Sequence, residues 1–141
     1  MQRGRRIAFD YGDVRIGVAV CDADGILASP LTVLRSTDRK LKRKLLEIFQ
    51  EFEPIKIYIG KPSNMDGSSG SAVDKALEFC DFLETLTNTP IELIDERLST
   101  VTASRSLRDS GVHLKESKSR IDEASAVAIL EFALSIEKNL T

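Results

Sequence analysis

The sequence predicts an α/β protein with a mixed five-stranded sheet, in which an antiparallel three-strand meander precedes strands that are linked by helices. Short turns separate the first three strand-like segments, and such turns require antiparallel pairing. After residue 36 the apolar residues recur at helical spacing, and two short apolar strands then alternate with amphipathic helices. The Gly-x-Gly-x-x-Gly fingerprint and the initial strand–helix alternation of a dinucleotide-binding domain are both missing.

The predicted meander occupies residues 5–10, 15–21 and 26–34. In its second segment the bulky residues Ile16, Val18 and Val20 alternate with small ones, which is typical of a strand with one bulky and one small face. Pro30 has no backbone N–H, so we expect the third strand at an edge or an irregular position of the sheet.

The remaining elements follow in the order α-β-α-β-α-α. We expect a helix from a cap at Thr37 or Asp38 to about Phe52, ended by Pro54. Strands at 55–60 and 91–94, helices at 71–86, about 100–109 and 121–137, and loops at 61–70 and 111–119 complete the series. The last helix is apolar almost all round and is expected to be buried. The whole order is that of a ribonuclease-H-like fold, and we expect one domain over residues 1–141.

The composition excludes or disfavours several kinds of catalytic site. The 141 residues suffice for one hydrophobic core, and no apolar run is long enough to cross a membrane, so we expect a cytoplasmic protein without membrane partners. Cys21 and Cys80 are expected to be buried thiols of a reducing compartment. The single histidine, His113, excludes a zinc site with several histidines, and no Gly-x-Ser-x-Gly elbow accompanies it. Any catalysis is therefore expected to depend on carboxylates.

Charge is unevenly distributed along the chain. The formal net charge is −2, which gives the whole protein no attraction to nucleic acid. Residues 35–44 nevertheless contain six basic residues and one acid, and residues 105–120 contain five basic residues and two acids. Such segments are compatible with phosphate contacts, although solvated surface is the commoner explanation.

Three carboxylates lie at the ends of predicted elements that this fold can bring together. Asp10 closes the first strand, Glu96 follows the fifth, and Asp122 lies in the first turn of the last helix. Singly they could be a turn residue, an exposed acid and a helix-dipole acid. Together they could bind two Mg²⁺ or Mn²⁺ ions roughly 4 Å apart, which activate water and neutralise a phosphodiester without a protein nucleophile.

Four segments of the chain resemble one known family. They read FDYGDVRIGVA at residues 9–19, IGKPSNMDG at 59–67, DERLST at 95–100 and IDEASA at 121–126. In this order and spacing they are similar to the YqgF/RuvX family of bacterial ribonuclease-H-like proteins, described as Holliday-junction resolvases and as pre-16S rRNA nucleases. Asp13 and Lys61 depart from the residues that many members carry at those positions.

The resemblance implies a hydrolase whose metal-binding catalytic acids are Asp10, Glu96 and Asp122. It also implies action at the 5′ end of pre-16S rRNA, with the RNA or ribosomal precursor particles as partners. Four further residues are candidate contacts to phosphate: Arg15, Lys61, Asn64 and Arg97. Arg15 and Arg97 could instead orient a site carboxylate or be strand-edge cations, and Asn64 could belong to a structural turn.

Other functions stay open at this point. A Holliday-junction resolvase would share the metal chemistry but cut symmetric DNA strands as a dimer, so the chain is expected to be a monomer or a homodimer. A phosphotransferase of the actin-like superfamily is disfavoured, because it usually needs two such domains. A non-catalytic nucleic-acid-binding or ribosome-assembly module would keep its function without the three acids.

Overall fold

The computed structural model describes residues 1–61, 71–95 and 114–140, with side chains for all of them except residues 71–72 and 114–123. Five strands and three helices are described. They are β1 (Arg6–Tyr11), β2 (Arg15–Cys21), β3 (Ala28–Arg35), α1 (Leu41–Phe52), β4 (Lys56–Lys61), α2 (Ser71–Glu84), β5 (Ile91–Asp95) and α3 (Leu114–Leu140). The predicted helix at 100–109 and most of the predicted loop at 61–70 lie outside the described residues.

The strands form one mixed sheet in the order β3-β2-β1-β4-β5. β1 pairs antiparallel with β2 and β2 with β3, whereas β1 pairs parallel with β4 and β4 with β5. The predicted meander and mixed sheet are therefore confirmed. β3 is an edge strand, as Pro30 indicated, and the register of β2 with β3 shifts between Val18 and Ala19, opposite Pro30.

The two faces of the sheet carry different cores. On one face bulky residues such as Phe9, Ile16 and Val18 pack with α1 and α2. On the other face small residues such as Ala8 and Ala19 pack against α3. The predicted division of β2 into a bulky and a small side is confirmed, and the small side lets α3 approach the sheet closely.

The last helix differs from its prediction. α3 begins at Leu114, seven residues before the predicted start, so residues 114–119 are helical instead of a loop. Lysine and glutamate are good helix formers, and their polarity had hidden the helix from a search for apolar periodicity. Asp122 therefore lies in the third turn of the helix and not in the first. The expectation of burial all round was also wrong, because Glu131, Ser135 and Lys138 are exposed.

Neither cysteine is built for nucleophilic chemistry. Cys21 is buried, as predicted, whereas Cys80 on α2 is only half-buried. Burial raises the pKa of both thiols, and the nearby Glu84 carboxylate raises that of Cys80 further. Both side chains therefore remain protonated at neutral pH, which leaves the carboxylates as the reactive groups of interest.

No helix within the described ranges is both long and apolar enough to span a membrane.

A buried ion pair fastens α3 to the start of β1. The Arg6 side chain is fully buried, and its Nη2 lies 2.9 Å from Glu137 Oε1. Tyr58 on β4 donates its hydroxyl to Glu137 Oε2 at 2.6 Å, and Arg6 also donates to the carbonyl oxygens of Gln2 and Gly4. Burial raises the pKa of Glu137, but the hydrogen bonds from Arg6 and Tyr58 outweigh it and lower the pKa below 4.5.

Helix α1 ends in a strained conformation. Glu53 has φ 45° and ψ 59°, in the left-handed region, and its N–H donates to the Phe49 carbonyl at 2.9 Å. Glycine is the usual residue at such a helix end, because a Cβ makes this conformation unfavourable. Pro54 follows directly and stops the helix, as the sequence predicted.

Replacing Glu53 with glycine should stabilise the protein. Relief of the left-handed strain should raise the free energy of unfolding by about 0.5–1 kcal/mol. Urea denaturation at pH 7 measures this change. The control is Glu51→Gly inside α1, which should lower the free energy by about 1 kcal/mol. Equal losses in both variants would contradict the strain at Glu53.

Replacing Glu137 with glutamine should destabilise the protein at neutral pH, because the buried Arg6 charge loses its counter-charge. We expect a loss of about 2–3 kcal/mol at pH 7, below the cost for a fully buried pair, because Glu137 is partly exposed. The loss is measured by urea denaturation between pH 3 and pH 7.

The destabilisation caused by Glu137→Gln should depend on pH. Because folding lowers the pKa of Glu137, the stability contributed by the carboxylate is present above pH 4.5 and disappears as the pH falls through the folded-state pKa. The gap between wild type and Glu137→Gln should therefore narrow in acid. Arg3→Gln, which breaks the exposed pair with Asp24, should change little at any pH. A constant gap from pH 7 to pH 3 would contradict the assignment.

Candidate active site at the carboxyl edge of the sheet

The parallel register brings the ends of three strands to one edge. Phe9 on β1 is level with Ile59 on β4, and Gly60 is level with Ile94 on β5. The antiparallel strands add the start of β2 and the end of β3, because Arg15 is the Cα partner of Arg35. We call this side of the sheet the carboxyl edge.

Asp10 lies at this edge between two glycines. Its Cα partner on β2 is Gly17, and one further step of the β1–β4 register places Gly60 at its level. Asp10 is half-buried and lies two residues beyond Ala8, so the alternation of the strand points its carboxylate to the face covered by α3. Neither neighbour across the sheet has a side chain, so no side chain from Gly17 or Gly60 covers this carboxylate.

The turn after Asp10 is tight for a physical reason. The Gly12 N–H donates to the Arg15 carbonyl oxygen at 2.9 Å, and a Cβ at residue 12 would lie 2.8 Å from that oxygen. Only glycine avoids this clash, so the turn holds the end of β1 and the start of β2 in a fixed relation.

Asp13, in the same turn, has a partner that sequence reasoning missed. Lys75 Nζ on α2 lies 2.6 Å from Asp13 Oδ1, with both groups largely exposed. The hydrogen bond that Lys75 donates to Asp13 raises the pKa of Lys75, so the lysine stays charged at neutral pH. Lys75 therefore offsets the negative charge that Asp13 brings to this turn.

Arg15 and Lys61 both lie at the carboxyl edge but on different faces of the sheet. Arg15 is the first residue of β2, half-buried, and alternation from Gly17 places it on the same face as Asp10. Lys61 is exposed at the end of β4, two residues after Ile59, which packs on the α1 and α2 side. Lys61 therefore extends from the opposite face to Asp10.

The other candidate residues are only partly described. Glu96, Arg97 and Asn64 lie outside the described residues, and Glu96 directly follows Asp95, the last residue of β5. β1 and β5 are not neighbours, because β4 lies between them, which sets their separation at about 9.5 Å. Asp122 lies in α3 one turn before Ala126, which is buried against the sheet.

The direction of α3 points its first half at the carboxyl edge. Glu137 is held at Arg6, the first residue of β1, and Asp10 lies about 13 Å further along that strand. Ala126 precedes Glu137 by about 16 Å of helix, and Asp122 precedes it by about 22 Å. The residues that precede Ala126 in α3 are therefore further from the Arg6 end of the sheet than Glu137 is.

Ser125 is a residue that sequence reasoning missed. It is fully buried on α3, three residues after Asp122, and its hydroxyl has no hydrogen-bond partner in the described parts of the chain. An unsatisfied buried hydroxyl costs about 1–3 kcal/mol, so such groups usually bond to a ligand or an ordered water. The available signal was a serine within the apolar stripe of the last helix.

These features fit a hard divalent cation. Carboxylate and hydroxyl oxygens are ligands or water partners of Mg²⁺ and Mn²⁺, and the glycines on both sides of Asp10 add no side chain next to its carboxylate. Across residues 1–61, 71–95 and 114–140, no group of three histidine, cysteine or acidic side chains could hold a metal. Asp10 is the described member of the candidate ligand set, and its partners Glu96 and Asp122 fall where side chains are not described.

Comparison with solved structures supports the fold. Over 96% of both chains, the protein is similar to a RuvC from Thermus thermophilus, solved in complex with a Holliday junction substrate, with a TM-score of 0.56 and 15% identity. It is also similar to the fowlpox virus Holliday junction resolvase, with a TM-score of 0.55 and 12% identity over 94% of this chain and 99% of the other. The ribonuclease-H-like prediction is thereby confirmed.

Sequence comparison identifies the family. A relative from Streptomyces avermitilis is 46% identical over 140 residues, covering 98% of this chain and 90% of its own length, and one from Mycobacterium ulcerans is 44% identical over 98% and 82%. Both carry the name "Putative pre-16S rRNA nuclease". Residues 4–136 match the RuvX family model, described as Holliday junction resolvase. The chain therefore belongs to the RuvX family.

Proposed function

We propose that this protein is a metal-dependent nuclease that hydrolyses phosphodiester bonds at the 5′ end of pre-16S rRNA. The observation that carries the proposal is the placement of Asp10, half-buried between two glycines at the carboxyl edge and on the face that α3 covers. Family membership and the names of the relatives support the reaction class and the RNA substrate.

Three acids would hold the metal in this proposal. Asp10 would be shared between two ions, and Glu96 and Asp122 would each complete the ligand shell of one. Bound Mg²⁺ or Mn²⁺ supplies an acidified water and neutralises charge on the phosphate. The buried Ser125 hydroxyl would donate to an oxygen in this site, which satisfies a group left without a partner among the described residues.

Basic and polar residues would position the RNA. Arg15 lies on the face of Asp10, and a guanidinium can hold a phosphate through two parallel hydrogen bonds. Arg97 and Asn64 remain candidate phosphate contacts by their place in the sequence. Lys61 would contact the RNA backbone where the RNA passes over the face of the sheet opposite to Asp10.

A second candidate is a Holliday-junction resolvase. The description of the RuvX family and the fold shared with RuvC favour it. Resolution requires two symmetric cuts, so it requires a dimer, whereas processing of one RNA end does not. Cleavage of a synthetic four-way DNA junction, with both cuts at symmetric positions, would favour this candidate over the RNA nuclease.

The Asp10→Asn variant should lose cleavage while it retains its fold. Removing the charge of a shared metal ligand should lower the cleavage rate by about 10³-fold or more. Stability should change little or rise slightly, because repulsion among the clustered acids is relieved. The rate is measured on labelled pre-16S RNA with Mg²⁺, with Mn²⁺ and with chelator, and the fold by thermal unfolding.

Asp24→Asn is the matched control, because Asp24 is exposed beside the β2–β3 turn at the opposite edge of the sheet. It should cleave at the wild-type rate. Cleavage by Asp10→Asn at the wild-type rate would refute the role of Asp10. Full function of Asp10→Asn in cells that lack the native gene would instead support a non-catalytic assembly module.

A further inference from the structure

We propose that Arg15 and Arg35, together with the exposed basic residues that lead into α1, form a phosphate-binding surface that guides the nucleic-acid backbone to Asp10. The inference rests on the proposed nuclease function and adds to it the path of the substrate. We call the surface formed by Arg15, Arg35, Arg39, Lys40 and Lys42 the arginine edge.

The pairing of Arg15 with Arg35 is electrostatically unfavourable. Arg15 and Arg35 are direct Cα partners across β2 and β3, and like charges in this position repel each other. Within the described ranges, neither guanidinium forms an ion pair with an acid. An anion held between them would convert the repulsion into two attractive contacts, and phosphate suits the fork of a guanidinium.

Both arginines lie on the face of the sheet that carries Asp10. Asp10 pairs with Gly17, and Gly17 pairs with Val33. Arg15 lies two residues before Gly17 and Arg35 two residues after Val33, so alternation places both arginines on the same face as Asp10. Strand spacing puts the Cα of Arg15 about 8 Å and that of Arg35 about 12 Å from the Cα of Asp10.

The positive surface continues around the edge into α1. The Ser36 N–H donates to the Val14 carbonyl at 3.0 Å, which holds the end of β3 against the β1–β2 turn. Arg39, Lys40 and Lys42 follow and are exposed.

Helix α1 places positive charge where its dipole disfavours it. Its first turn contains no acid and its last turn no base, the reverse of the arrangement that favours a helix. Lys44 pairs with Asp38, and Arg43 lies 4.0 Å from Glu47. Beyond those two pairs, Arg39, Lys40 and Lys42 form no salt bridge among the described side chains, and Lys40 shares the charge of Asp38 with Lys44. A polyanion would therefore offset positive charge that the chain itself balances only in part.

The partner that fits is the phosphodiester backbone of a nucleic acid. The cations extend over a row of positions from the candidate reaction centre outward, as regularly spaced phosphates require. The contact is made to phosphate and not to bases, so it should guide the strand without reading its sequence.

Salt dependence tests the arginine edge. The full chain is titrated, in chelator, into a fluorescein-labelled RNA hairpin that spans the 5′ end of 16S rRNA, and affinity is measured by anisotropy from 50 to 300 mM KCl. Arg35→Gln and Arg15→Gln should each weaken binding and reduce the slope of log K against log [KCl] by about 0.7–0.9. Arg15→Lys retains the charge and should retain the slope.

Arg5→Gln is the control, because Arg5 is exposed just before β1, at the opposite end of the sheet, where its guanidinium lies over the Phe52 ring. It should leave the slope unchanged. A slope for Arg35→Gln equal to that of Arg5→Gln would overturn the arginine edge, even if the wild type cleaves RNA. Reduced slopes in a protein that cleaves no RNA with Mg²⁺ or Mn²⁺ would support the arginine edge and refute the nuclease proposal instead.

Discussion

The buried Arg6 charge is the constraint on which the arrangement of the protein depends. A guanidinium without any exposure must be paired, and Glu137 on α3, itself bonded by Tyr58, supplies the pair. A shift of α3 by one turn would leave Arg6 buried without its counter-charge. The last helix is thereby locked in one position along the sheet, and with it every residue that the helix carries toward the carboxyl edge.

The carboxyl edge is shaped by the strand pairing around Asp10. Parallel pairing with β4 and antiparallel pairing with β2 both place a glycine beside it, Gly60 and Gly17. The small residues Ala8 and Ala19 let α3 approach on the same face, so Ser125 is buried close to the sheet. The result is an acid flanked by two glycines in the sheet and a buried hydroxyl on the helix above this face.

Much of the fold could be predicted because the signals were local. Turn residues and alternation indicated the meander, Pro30 indicated the edge strand, and four short segments indicated the RuvX family, which the family match confirms. The start of α3 was missed because residues 115–120 are polar, and apolar periodicity does not detect a polar helical turn.

Contacts between distant parts of the chain could not be predicted in the same way. Arg6 and Glu137 are 131 residues apart, and no pattern in the sequence links them. Lys75 with Asp13, and Arg15 with Arg35, likewise depend on the register of the folded chain. The catalytic roles of Asp10, Glu96 and Asp122 stay predictions, made from the motifs and consistent with the placement of Asp10.

Binding of a divalent ion at Asp10 can be tested by paramagnetic broadening. Mn²⁺ is titrated into isotope-labelled protein, and the loss of backbone amide signals is mapped along the chain. We expect broadening to begin at Asp10, Gly17 and Gly60, to spare the opposite edge around Asp24, and to disappear in Asp10→Asn. Broadening centred on another group of acids, and unchanged in Asp10→Asn, would contradict it.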